Sequence, residues 1–122
     1  MKPLLLLQIA LFIGFGWVQA KTGFNETVYS PDKGVICDKK AGFCVDSYGI
    51  SMAFTQMFLG QEAQDNIMAI IDEVGSKNFD TQRFSFSNKV YCDTEAKQCV
   101  TDRFNNTPEP DYNQILFPPT SD

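Results

Sequence analysis

The chain has 122 residues, 43% hydrophobic and 20% charged, which is ordinary single-domain usage and excludes long disorder, collagen-like repeats and coiled coil. Ten basic residues stand against fifteen acidic ones, with no basic cluster, so a nucleic-acid-binding role is excluded for want of phosphate contacts. Histidine is absent, which removes the Ser-His and Cys-His nucleophile systems and the commonest metal ligand.

The first segment, MKPLLLLQIALFIGFGWVQA, has Lys2 before an apolar run from Leu4 to Val18 and ends in Val18-Gln19-Ala20. This is the pattern of a secretory signal peptide over 1–20, cut before Lys21. The run is shorter than the roughly 20 residues a bilayer span needs. The expected product is soluble, exported and more acidic by the loss of Lys2, with no membrane contact after cleavage. Residues 21–34 read as an extended lead-in, 35–117 as one stapled domain and 118–122 as a tail.

The four cysteines lie in a repeat. Val35-Ile36-Cys37-Asp38, five residues, Cys44-Val45 is echoed by Val90-Tyr91-Cys92-Asp93, five residues, Cys99-Val100. Four cysteines allow three connectivities. The local one, Cys37 with Cys44 and Cys92 with Cys99, is preferred because the copies match and each closes by itself. Each bridge then staples a β-hairpin, with Lys40-Ala41 and Glu95-Ala96 at the tips. Gly42 equally allows a bulged turn in the first. In this register Val35, Cys37, Cys44 and Asp46 share one face, Ile36, Asp38, Phe43 and Val45 the other, and Lys89 faces Asp102 as an expected ion pair. A four-thiolate zinc site is disfavoured by the missing C-x2-C halves, and a thiol–disulfide exchanger by the missing C-x-x-C. Asp38 and Asp93, just after the first cysteine of each unit, are expected to accept tip N–H groups.

Tyr48 to Leu59 places Ile50, Ala53, Phe54, Met57 and Phe58 at helical intervals, with Ser47 or Ser51 to cap the start and Gly60 to end it. Gln61 to Val74 places Ala63, Ile67, Ile70, Ile71 and Val74 on one stripe, closed by Gly75. Phe84-Ser85-Phe86 and Lys89 to Asp93 read as strands about a Ser87-Asn88 turn, Cys99 to Arg103 as the next, and Gln114 to Phe117 as a last one. The predicted fold is α+β: a small antiparallel sheet built from two disulfide-closed hairpins, with the helical pair between them packed on one face.

Ser30-Pro31-x-Lys33-Gly34-Val35-x-Cys37-Asp38, Cys44, Phe58-Leu59-Gly60, Ala63, Phe79-Asp80-Thr81-x-Arg83-Phe84-x-Phe86, Val90-Tyr91-Cys92-Asp93, Cys99 and Asp102-Arg103 together resemble the Fels prophage protein-like (YcgJ-like) family of small exported bacterial proteins. The likeness covers roughly 28–117. It implies a bacterial exported protein, periplasmic where the cell has two membranes, and carries over no catalytic residues.

No catalytic residues, cofactor or metal site are predicted. The second helix carries Glu62, Asp65, Asp72 and Glu73, of which Glu62 and Asp65 lie on the side away from its apolar stripe. Asp72 and Glu73 sit in the last turn, where the helix dipole disfavours acids, so these four form the candidate interaction surface. The favoured expectation is a small exported binding protein, inhibitor-like, for a partner of basic character. The alternative is a structural or stress-related envelope protein without a single ligand. An enzyme would need two acids converging in a cleft.

Overall fold

A computed structural model describes residues 24–119. The expected leader at 1–20 lies outside the described residues. The first sheet is a meander of β1 (Val28–Asp32), β2 (Val35–Asp38), β3 (Phe43–Asp46) and β4 (Gly49–Ser51). Two helices follow, α1 (Met52–Leu59) and α2 (Gln61–Val74), then a turn of 3-10 helix at Ser76–Asn78. The second sheet comprises β5 (Arg83–Ser85), β6 (Tyr91–Asp93) and β7 (Gln98–Val100), and the described chain closes with α3 (Pro110–Leu116).

Both disulfides are the local ones, Cys37–Cys44 and Cys92–Cys99. Each joins directly opposed residues of its hairpin. The register pairs Asp38 with Phe43 and Asp93 with Gln98. Each tip turns through four residues, 39–42 and 94–97, with the residue two before the second cysteine in the left-handed region: Gly42 at φ 86° and Lys97 at φ 57°. Asp38 Oδ1 accepts the N–H groups of Lys40 and Ala41, and Asp93 Oδ1 those of Glu95 and Ala96. The two aspartates therefore do the same local work in the two copies.

The fold is α+β, with each hairpin carrying its own sheet. The faces of the first sheet separate as the alternation demands. Val35, Cys37 and Cys44 meet Phe54, Phe58 and Leu59 of α1. Ile36, Val45 and Phe43 meet Phe84, Phe86, Val90 and the second disulfide. The helical pair covers one face and the second sheet the other, which is why both faces are apolar. Thr55, fully buried, fixes α1 to the sheet: its hydroxyl accepts from the Cys44 N–H at 2.9 Å and donates to the Ser51 carbonyl at 2.6 Å. Ser51 caps α1 by accepting from the Phe54 N–H, and Gly60 separates the helices.

Three segments differ from the sequence reading. The lead-in supplies β1, whose Val28 is fully buried. Tyr48 lies in the turn before β4 rather than in the first helix, because Asp46 Oδ1 accepts its N–H and Ile50 N–H bonds to the Thr81 carbonyl. Gln114 to Phe117 is not a strand. Pro110 begins a helix whose fixed φ suits that position, and Tyr112 and Leu116, four apart, both enter the core. This helix contacts β2 and β7, and so spans the two sheets. Asn113 clamps the second hairpin, accepting from the Cys99 N–H and donating to its carbonyl.

The expected Lys89–Asp102 pair does not form. β7 ends at Val100 and the chain turns, so Asp102 caps its own loop through the Phe104 N–H and the Asn105 side chain. The ion pairs among the described residues all belong to Arg83, with Asp80, Asp93 and Glu95.

Candidate functional site

Among the described residues no group of three or more metal-ligating side chains converges, and the four cysteines are all in disulfides. Chemistry on this molecule rests on its surfaces.

The acidic helix comes first. Glu62, Asp65, Asp72 and Glu73 are all exposed on α2, and none forms an ion pair among the described residues. Asp65 accepts a bond from the Gln61 side chain. Glu62 borders a shallow hollow of about 330 Å³ beside Lys39 and Lys40 at the first hairpin tip. The structure does not gather the four into one cleft. The apolar stripe behind them is less covered than its periodicity predicts: Ile67 is buried, but Ile70 is 47% and Val74 42% exposed, and Met68, outside the stripe, is 44% exposed. Length explains this. The 14-residue α2 is about 21 Å long and leans on the 8-residue α1, about 12 Å long, so its C-terminal half outruns its support.

A second feature is a cleft at the junction of the two sheets and α3. One part, about 540 Å³, lies between the β1–β2 turn, with Asp32 and Lys33, and Gln114 to Leu116 of α3. The other, about 430 Å³, is walled by Gln82, Thr94, Lys97 and Phe117. The two parts share Ser47, Tyr48, Leu116 and Pro118, so Tyr48 stands at the divide. Its side chain is 83% exposed, yet its backbone is held. Beyond the bonds of Asp46 and Ile50 already described, Gly49 presses on the Thr81 backbone so closely that a Cβ there would lie 2.2 Å from the Thr81 carbonyl oxygen. Asp80, just before this segment, is held below the usual carboxylate range by the Gln82 backbone N–H and by Arg83. The Thr94 hydroxyl, in the wall of the second part, is buried and has no hydrogen-bond partner among the described residues.

Asp32 and Asp46 both line the first part, but each is tied into its own turn, to the Lys33 and Tyr48 N–H respectively, and neither is buried. They are not the pair of buried, converging acids that a hydrolase requires. Sequence reasoning missed the whole cleft, because its walls come from five separate segments. The available signal was Asp46-Ser47-Tyr48-Gly49, an Asp and a Gly bracketing a turn, which would have put Tyr48 at a tip.

Comparison with known proteins gives a consistent picture. Residues 28–117 match the model of a protein family described as "YcgJ protein". The chain is 37% identical over 75 residues to the "Uncharacterized protein YcgJ" of Escherichia coli (strain K12), a match covering 62% of this chain and 55% of that protein. The chain thus spans about half the length of the curated relative it matches. No solved structure matches the chain.

Proposed function

The chain belongs to the YcgJ family, and we propose that it acts as an exported, disulfide-stapled binding protein whose partner is basic. The observation that carries this reading is α2, where Met68, Ile70 and Val74 stand exposed on a helix whose four acids form no ion pair among the described residues. Exposed aliphatic side chains interspersed with unpaired acids suit a docking face for an oppositely charged protein. Both disulfides favour an oxidising space outside the cytoplasm. Among the described residues no helix is long and apolar enough to cross a membrane.

Immobilised oxidised protein, residues 21–122, is the test. Bacterial envelope proteins and a panel of basic secreted enzymes are passed over it at about 50 mM and about 500 mM salt, where the screening length falls severalfold. The expected result is one saturable partner that weakens with salt and is lost in Asp72→Lys/Glu73→Lys. An empty column, or a partner indifferent to both salt and the double substitution, refutes this reading.

A further inference from the structure

We propose that the cleft divided by Tyr48 binds a neutral oligosaccharide, with the Tyr48 ring stacked against one sugar and the chain running into both parts of the cleft. This site is separate from the α2 face and does not depend on it.

Three observations lead there. First, Tyr48 is a large aromatic left 83% exposed on a backbone fixed by Asp46, Ile50 and the close approach of Gly49 to Thr81. An aromatic ring with a free face, carried on a fixed backbone, is a stacking platform. A pyranose offers the matching shape, an apolar C–H face edged by hydroxyls. Second, the flanking groups are of the kind that hydroxyls engage: Gln82 on one side, Asp32 and Gln114 on the other. Carboxylates and amides offer paired acceptors and donors to neighbouring hydroxyls. Third, the charges balance. Asp32 and Asp46 stand against Lys33 and Lys97, a neutral lining in a chain of net charge −5, which selects an uncharged ligand over a polyanion or polycation.

Each part of the cleft has the volume of a small-ligand site, and their shared border at Tyr48 calls for a chain rather than a single sugar. An extended peptide fits less well. Apart from the ends of β1 and β3, the walls come from turns and α3, so a peptide ladder would find only a short length of strand to join.

The probes are tri-N-acetylchitotriose, cellotriose and maltotriose, titrated into the oxidised protein while backbone amide shifts are followed by NMR. At least one sugar is expected to give saturable shifts at Tyr48, Gln82 and Thr94. Tyr48→Ala, which removes an exposed side chain and leaves the fold intact, should weaken binding about tenfold or more. Gln82→Ala, at an exposed position of the wall, should weaken it severalfold. Asp72→Lys/Glu73→Lys, on α2, should leave sugar binding unchanged, which keeps this result distinct from the partner test above. Absence of shifts with all three sugars at about 10 mM, where even millimolar binding would register, overturns the proposal. So does binding that is equal in Tyr48→Ala, or shifts confined to residues outside the cleft.

Discussion

Asp38 and Asp93 occupy the same place in the repeat, yet they carry different weight. Each organises its hairpin tip with Oδ1. Asp38 is fully buried, and its carboxylate also accepts the Ser87 N–H at 2.6 Å and the Ser87 hydroxyl at 3.0 Å. It therefore ties the first hairpin to the turn between β5 and β6. Asp93 turns its other oxygen to Arg83 at the surface. Asp38→Ala removes four hydrogen bonds made by a fully buried carboxylate and is expected to cost about 3 kcal/mol or more, against about 1 kcal/mol for Asp93→Ala. Urea denaturation of the two variants measures the difference, and equal losses would contradict the bridging role.

The hairpins and α3 set the scale above. Lys97 holds a left-handed conformation that Gly42 holds in the first copy, and a side chain there is strained where glycine is not. Lys97→Gly should stabilise the chain by about 0.5–1 kcal/mol, visible as a raised urea midpoint at unchanged slope. α3 is tied to the core through Tyr112, whose hydroxyl accepts from the Asn88 side chain at 2.8 Å. Burial pushes the Tyr112 phenol up from its ordinary 10.0, and the Asn88 bond offsets that only in part. The folded state thus holds a proton that the unfolded chain releases, so this contribution is complete below about pH 10 and is lost as pH rises through the folded value. Stability measured between about pH 9 and 12 should fall, and Tyr112→Phe should flatten that fall.

At the scale of the whole molecule, two short sheets share one core through α3, the Asp38–Ser87 link and the strand-like contact of Ile50 with Thr81. A core of this size leaves a modest margin, and the staples matter correspondingly. Closing each small loop contributes about 2–3 kcal/mol. Replacing Cys92 and Cys99 by Ala should cost at least that, because both also sit in the main core. Removing both bridges approaches the total stability of about 5–15 kcal/mol expected of a domain. Thermal melts of the oxidised, singly stapled and unstapled forms order these contributions.

The matched cysteine units, the tip aspartates, the two helices about Gly60 and the acidic face of α2 were legible in the sequence, because each depends on neighbours within about ten residues and on simple periodicity. What stayed hidden depends on distant partners. Gln114 to Phe117 has a strand's composition, but it is helical because Tyr112 and Leu116 fill the space between the sheets. Lys89 and Asp102 were separated when β7 ended early. Asp38 became the link between halves only because Ser87, 49 residues away, folds against it. Residues 35–38 carry apolar side chains on both faces in the sequence itself, but which layers close on them, burying all four, was decided by the tertiary structure. The cleft at Tyr48 belongs to the same class: its walls are set by packing of five separate segments, and local sequence carries no record of which segments meet.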